Sequence, residues 1–358
     1  MTKRYLILED GSIYEGEAFG APATTFGEIF FHTAMTGYQE IMTNPIYHNQ
    51  IVVFTVPTIG AAGINHRADE AIVPMVKGVV VREVAEVSTN RLQTMSMHEF
   101  LLRHNVPGIS RLDTRALTRH LRETGAQKAS IVDYPDDHAF DQLRALVMTN
   151  QEVQQTSTPR AYVNPGRGAN IVVIDFGLKN GILRMLNDYD ANVTVLPYNA
   201  TLDEVMNLDP DGIVLSSGPG DPSAVPEDIL DLIRTLQKEV PLLGVGLGHE
   251  LFAMANHVEV EPMPVEHHGM NHPIREQITN QIMYATQAQG YQVVKGTIKN
   301  SDLFVTHVDL TDGSIQGLRH RNYPAFSVQF FPDTAPGPIE ATQPFDDFMD
   351  MVNIRRGA

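Results

Sequence analysis

Residues 241–250, PLLGVGLGHE, decide the fold of this chain. A proline precedes an apolar run of strand type, glycines follow at Gly246 and Gly248, and the next residues, LFAMA, have a helical pattern. This order predicts a buried strand that turns sharply into a helix at Gly246. Such an elbow usually presents a reactive side chain at its tip, whereas glycine has none.

The elbow belongs to a regular alternation of apolar strands and amphipathic helices. The predicted elements are strands at 170–175, 192–196, 212–215 and 242–245 and helices at 179–188 and 226–239. Strands that read as continuous apolar runs between helices are buried on both faces, which favours a doubly wound, mostly parallel sheet of the α/β class. We assign this domain to residues 169–358.

The first part of the chain, residues 1–152, predicts a separate domain of mixed α+β type. The predicted elements are a hairpin at 4–16, strands at 28–33, 50–56 and 76–81, and helices at 97–104 and 114–123. Asp113 precedes the last helix as a candidate N-cap, and Gly125 follows its end. Residues 153–168, VQQTSTPRAYVNPGRG, are polar with two prolines and two glycines, so we expect an exposed linker.

The composition restricts the functional class. The 358 residues carry a net charge of −17, which argues against nucleic-acid and membrane partners, although a local basic patch stays possible. No apolar stretch approaches the ~18 residues of a membrane span. The chain has no cysteine and therefore no disulfide or thiolate site. We expect a cytoplasmic protein.

Two glycine-rich segments follow strands of the predicted sheet, where such sheets bind ligands. In LSSGPGDP at 215–222, Gly218 and Gly220 would let backbone N–H groups approach a ligand. The N–H of Leu247, at the start of the helix, could face a developing oxyanion. Each segment alone is equally compatible with a tight structural turn.

Longer strings of sequence carry a family resemblance. FHTAMTGYQEIMTNPIY, PGISRLDTRALTRHLRETGA, VVIDFGLKNGILRML, GIVLSSGPGDP, HHGMNHP and AFSVQFFPDTAPGP together resemble the small subunit of carbamoyl phosphate synthetase, and the second half resembles class I glutamine amidotransferases. The resemblance implies glutamine hydrolysis by a cysteine, a histidine and a carboxylate. It also implies a large subunit that combines the ammonia with bicarbonate and ATP, and it implies no cofactor.

The slots that match the catalytic residues of this family are occupied by other side chains. Gly246 stands in the cysteine slot, Phe331 in the histidine slot, and the shorter Asp333 in the carboxylate slot. A glycine cannot attack and a phenyl ring cannot move a proton, so both halves of the nucleophile–base pair are missing.

The matching substrate-binding slots are partly changed. Glu250, Ala288 and Ile46 replace a glutamine, an asparagine and a serine, while Tyr291 fits the aromatic slot. The backbone donors are retained, and they are Gly218, Gly220, Leu247 and Gly290. Glu250 could be a new binding or acid–base group, but a carboxylate in the first turn of a helix is also favoured by the helix dipole.

Other polar residues near these segments have simpler explanations. We interpret His249 as structural, and Ser216 and Ser217 have no base nearby in sequence. The histidines of the segment 266–272, EHHGMNH, could suggest zinc, but the family resemblance implies a structural loop there without metal. Arg115, Arg119 and Arg122 form a stripe on one helix, which is either a solvated face or a surface for an acidic partner.

Three functions remain open from the sequence. The first is a non-catalytic partner that docks on and stabilises an ammonia-using carbamoyl phosphate synthetase large subunit. The second is a working glutaminase subunit, for which glutamine would be a substrate. The third is a metabolite sensor that uses the vacated cleft. The pathway, arginine or pyrimidine synthesis, is left open.

Overall fold

The computed structural model describes residues 2–147 and 150–357, and the chain divides into two compact units, residues 1–149 and 150–358. Within the described ranges, no helix is both long and apolar enough to cross a membrane.

The first unit is a mixed α+β domain. Its strands are β1 (Lys3–Leu8), β2 (Ile13–Gly20), β3 (Thr25–His32), β4 (Gln50–Phe54), β5 (Thr58–Ile59), β6 (Gly78–Val80), β7 (Glu83–Val84), β8 (Pro107–Ser110) and β9 (Gln127–Val132). Its helices are α1 (Tyr38–Thr43), α2 (Met97–Arg103), α3 (Thr114–Thr124) and α4 (Asp137–Ala145). Seven strands form one closed sheet in the order β1-β2-β8-β6-β4-β3-β9.

The closed sheet surrounds an apolar core, to which Leu6, Ile51 and Val80 contribute. Helix α3 closes on this core through Leu117 and Leu121. Its ends agree with the sequence signals, because Asp113 Oδ1 accepts a hydrogen bond from Ala116 N at 3.0 Å and Gly125 follows the last turn with φ of 81°.

The second unit contains one sheet of ten strands. Its strands are β10 (Tyr162–Asn164), β11 (Asn170–Asp175), β12 (Asn192–Pro197), β13 (Gly212–Leu215), β14 (Leu242–Val245), β15 (Val260–Glu276), β16 (Ile282–Val293), β17 (Leu303–Asp309), β18 (Ile315–His320) and β19 (Ala325–Val328). Its helices are α5 (Glu152–Thr156), α6 (Asn180–Asp188), α7 (Leu202–Met206), α8 (Glu227–Glu239), α9 (Leu247–Ala255) and α10 (Gln343–Arg356). The strand order is β10-β12-β11-β13-β14-β19-β18-β17-β15-β16.

The centre of this sheet is parallel. Strands β12, β11, β13, β14 and β19 pair in parallel, and helices such as α8 and α9 cover them. The predicted α/β class, with a separate mixed domain before it, is confirmed. The sequence analysis did not predict the antiparallel extension of β18, β17, β15 and β16.

The stretch 153–168, expected to be a linker, is part of the second unit. It carries the end of α5 and the edge strand β10, which pairs antiparallel with β12. The strand within this segment was not predicted, because an edge strand needs backbone pairing but little apolar burial and its polar composition gave no strand signal.

Candidate functional site

The elbow forms as predicted, at the carboxyl end of β14. Gly246 joins β14 to α9 with φ of 57° and ψ of −116°, and its N–H donates to the carbonyl of Val328 at 3.0 Å. The next glycine, Gly248, donates from its N–H to the carbonyl of Ser216 at 3.1 Å. A left-handed φ strains any residue with a Cβ, so the turn of a nucleophile elbow is kept here by a residue that tolerates it.

The nucleophile and base slots face each other. A Cβ on Gly246 would lie 3.2 Å from Ser217 Cβ and 3.6 Å from Phe331 Cε1. Phe331 is buried, and its N–H donates to the carbonyl of Thr286 at 2.9 Å, which fixes its backbone against β16. A hydrocarbon ring therefore stands beside the elbow at the place where a proton-transferring group would be needed.

The carboxylate slot is neutralised by a lysine. Asp333 and Lys179 both have fully buried side chains, and Lys179 Nζ lies 3.0 Å from each carboxylate oxygen. The same ammonium lies 4.4 Å from the centroid of the Phe331 ring and donates to the carbonyl of Ala335. Asp333 therefore orients an ammonium group that packs against the ring, and the sequence analysis missed Lys179.

Glu250 is buried in the first turn of α9. Gln329 Nε2 donates to its Oε1 at 2.9 Å. Burial, with a smaller contribution from the negative charge of Asp221, raises the pKa of Glu250 to about 8. The carboxyl group is therefore mostly protonated at neutral pH and resembles the amide of a glutamine more closely than the sequence suggested.

His249 is also buried, and its Nδ1 lies 2.8 Å from Ser327 Oγ. Burial lowers the pKa of His249 to about 3, so the imidazole is neutral. Ser216 likewise serves the backbone, since its Oγ accepts from Phe176 N at 2.9 Å and donates to the carbonyl of Ser217. These contacts give His249 and Ser216 structural roles.

The glycine loop after β13 packs tightly on its neighbours. A Cβ on Gly218 would lie 2.2 Å from the carbonyl oxygen of Phe176 and 2.9 Å from Leu247 Cδ2, so a larger residue does not fit. Gly220 has φ of 89°, and a Cβ there would lie 3.1 Å from Glu152 Oε2. Leu247 begins α9, so its N–H lies in the first turn, where a helix offers no acceptor of its own. Gly218 therefore packs against the first residue of α9, and the role of these N–H groups as donors to a ligand stays a prediction.

The remaining predicted slots lie elsewhere. Ala288, Gly290 and Tyr291 lie on β16, and the carboxylate of Glu266 stands 3.1 Å from the place of a Cβ on Gly290. Ile46 belongs to the first unit, in the 3₁₀ turn Pro45–Tyr47.

The histidine segment does not form the loop that the resemblance implied. It lies within the long strand β15, which pairs with β16 across two register shifts. The structure brings His267 and His272 together with Asp309, with one ligand atom of each within 4.8 Å of the others. The expectation of a loop was wrong, because bulges let this irregular segment remain in a sheet.

The predicted arginine stripe lies on α3. Arg115, Arg119 and Arg122 are all exposed, and the guanidinium of Arg122 lies 5.2 Å from the centroid of the Phe31 ring. Its role as a docking surface stays a prediction.

Known proteins resemble the chain over nearly its whole length. The family model of the carbamoyl-phosphate synthase small chain, CPSase domain, matches residues 6–131, and that of class-I glutamine amidotransferases matches residues 172–351. The carbamoyl phosphate synthase pyrimidine-specific small chain of Lactiplantibacillus plantarum is 48% identical over 98% of this chain and 96% of its own length. The carbamoyl phosphate synthase small chain of Streptococcus mutans is 48% identical over 99% and 98%.

Proposed function

The chain belongs to the family of carbamoyl phosphate synthase small chains and carries a class-I glutamine amidotransferase domain, and we propose that this member of the family has lost glutamine hydrolysis. In this proposal it acts as a non-catalytic partner that docks on and stabilises the large subunit, which then uses free ammonia. The observation that carries the proposal is the pairing of Gly246 with Phe331 across the elbow.

The chemistry of amide hydrolysis supports the loss. Attack on the amide carbon needs a nucleophile that a neighbouring base has deprotonated. Gly246 has only a hydrogen atom in place of a nucleophilic side chain. A Cβ placed on it would lie 3.6 Å from a ring carbon of Phe331, where a base would be needed. Removing a nucleophile alone costs about 10⁶ in turnover in a serine protease, and removing its base as well adds little because the two act as a unit.

The third catalytic slot supports the same proposal. The carboxylate of Asp333 would have to orient an imidazole, but it is held by Lys179 Nζ at 3.0 Å in a fully buried pair. The ammonium also faces the Phe331 ring at 4.4 Å. These three side chains pack as one unit whose charge is balanced, so the former catalytic position has become part of the core.

The docking role is supported by what has been kept. The CPSase-domain model matches residues 6–131, although the slots for attack and proton transfer have changed in the other domain. In the second unit, the elbow, the glycine loop and the sheet that supports them also remain. A chain selected for association and no longer for hydrolysis would retain this pattern.

The test reconstitutes the full chain with its large subunit and supplies either glutamine or ammonia with bicarbonate and ATP. We expect carbamoyl phosphate from ammonia and none above background from glutamine, with no release of glutamate. A small chain of the same family that carries the elbow cysteine is the positive control. Release of glutamate at an ordinary enzymatic rate would support the alternative of a working glutaminase subunit.

Association is measured separately by co-purification of the tagged large subunit with the full chain. The pair should elute as one complex, and the large subunit should lose its ammonia-dependent activity more slowly on heating when the chain is present. If the two proteins elute apart and the large subunit is equally stable alone, the docking role is wrong even where the loss of glutaminase activity holds.

A further inference from the structure

An extra residue in β15 aligns two histidines on one face of the sheet. Gly269 lies opposite Gln287 and His272 lies opposite Ala285, so three steps along β15 match two steps along β16. Side chains alternate between the two faces of a strand, so His267 and His272 would lie on opposite faces of a regular strand. The bulged residue between them adds one step, and the two histidines therefore lie on the same face. Their imidazole rings stack with centroids 4.9 Å apart and planes 19° from parallel.

A carboxylate from the next strand joins the same face. Asp309, the last residue of β17, lies opposite Ile274, which is two residues beyond His272 and therefore on its face of β15. The distance from His272 Nδ1 to Asp309 Oδ2 is 3.7 Å. His267, His272 and Asp309 thus converge from two paired strands.

Gln287 orients two of these groups at once. Its Nε2 donates to Asp309 Oδ2 at 2.8 Å, and its Oε1 lies 2.5 Å from His267 Nδ1. Because the amide oxygen can only accept, Nδ1 of His267 is the donor in this contact, and Nε2 is the ring nitrogen that remains as a candidate metal ligand. Metal-binding histidines are usually held in this way, by a hydrogen bond from the other ring nitrogen to an oxygen.

A second carboxylate faces that nitrogen. Asp312, in the turn after β17, places Oδ2 3.1 Å from His267 Nε2. A proton held between Nε2 and the carboxylate satisfies this contact, and a metal ion bound to both atoms would displace that proton. The side chain of Asp309 is itself fully buried, so its negative charge also favours a nearby cation.

We propose that His267, His272 and Asp309 form a binding site for a divalent transition-metal ion of the zinc class, and that Asp312, whose carboxylate contacts His267, supplies the fourth ligand. Two imidazoles and two carboxylates are a ligand set that suits tetrahedral zinc in a chain without cysteine. Ligand atoms around zinc lie about 3.3 Å apart, so those of His267, His272 and Asp309, which lie within 4.8 Å of one another, would draw together by up to about 1.5 Å. The ion would connect the bulged part of β15 to the end of β17.

The test uses the full chain, stripped of metal with a chelator and titrated with Zn²⁺ against a competing chromophoric chelator. We expect one tight equivalent in the unaltered protein. Asp309→Asn, which keeps the shape of the carboxylate, and His272→Asn should each weaken binding by about 100-fold or more, since even residues that only orient a ligand are worth 10- to 100-fold. X-ray absorption of the zinc-loaded protein should show four nitrogen and oxygen ligands at about 2.0–2.2 Å.

The matched control is His138→Asn, which removes an exposed histidine on α4 of the first unit. It should bind zinc as the unaltered protein does. Failure of the unaltered protein to bind one equivalent tightly overturns the proposal by itself, without any variant. Unchanged affinity in Asp309→Asn, with circular dichroism that matches the unaltered protein, overturns it equally.

Discussion

The buried carboxyl group of Glu250 should make the stability of this protein fall as the pH rises. The perturbation that isolates it is Glu250→Gln, which returns the residue type that the family resemblance places in this slot. A glutamine oxygen can accept the same hydrogen bond from Gln329 Nε2 that Glu250 Oε1 accepts at 2.9 Å. The variant therefore removes a titrating group and preserves its shape and its contact.

The magnitude follows from the two pKa values. Burial raises the pKa of Glu250 from 4.5 to about 8 in the folded protein. The folded state holds the proton more tightly than the unfolded chain, so the stabilisation is complete below pH 4.5 and is lost as the pH rises through 8. At about 1.4 kcal/mol for each pH unit, the loss reaches at most about 5 kcal/mol. Above pH 8 both states are ionised and the difference between the two proteins should be constant.

The assay is urea unfolding of both proteins between pH 5 and pH 9. The chain has no tryptophan, so far-UV circular dichroism is the natural probe. The two units need not unfold together, and hydrogen exchange of the peptide Leu247–Ala255 assigns the transition to the unit that holds Glu250. The difference in unfolding free energy, variant minus unaltered protein, should grow steadily from pH 5 to pH 8.

A flat difference across that range would refute the reasoning. It would mean that Glu250 titrates at an ordinary pKa, and that water or rearrangement relieves the burial. The comparison at pH 5 serves as the internal check. At that pH Glu250 is protonated in the folded protein, and the side chain of either protein accepts the hydrogen bond from Gln329, so the two proteins should be nearly equally stable.

Three further substitutions test the altered catalytic slots. Lys179→Met leaves the carboxylate of Asp333 buried without its partner, which should cost about 3–5 kcal/mol in urea unfolding, and adding Asp333→Asn should recover part of that loss. Gly246→Ala places a Cβ at φ of 57° and should lower stability by about 1–3 kcal/mol, while Gly296→Ala, which has open space, should change it little. Phe331→His should give an imidazole whose pKa lies below 6.5 by NMR titration, because the ring position is buried and the nearby carboxylate of Asp333 is already paired with Lys179.

The parallel part of the second unit could be predicted from sequence because its signal is local. Runs such as NIVVID at 170–175 are buried along almost their whole length, and the strand Asn170–Asp175 begins and ends as predicted. The antiparallel extension could not be predicted in the same way. Its long strand Val260–Glu276 contains prolines, charges and bulges, and only pairing with distant residues makes it a strand.

Some features of the candidate site could likewise be predicted from the sequence, and others could not. The positions of Gly246, Phe331 and Asp333 in the family pattern can be read from the sequence, since they follow fixed neighbours. The burial of Lys179 and the raised pKa of Glu250 cannot, because both depend on what packs around a side chain. A lysine four residues after the end of the apolar strand Asn170–Asp175 was the available signal for the first of these.

The glycine at the elbow bears on the history of the lineage. A cysteine at Gly246 would again meet the left-handed backbone, the Phe331 ring and a carboxylate already bound to Lys179. On the proposed loss of hydrolysis, several replacements would have to coincide before ammonia was produced from glutamine. On that proposal, descendants of this chain should keep a glycine at the elbow even where glutamine is the richest nitrogen source, and selection would act through the large subunit or through another small chain.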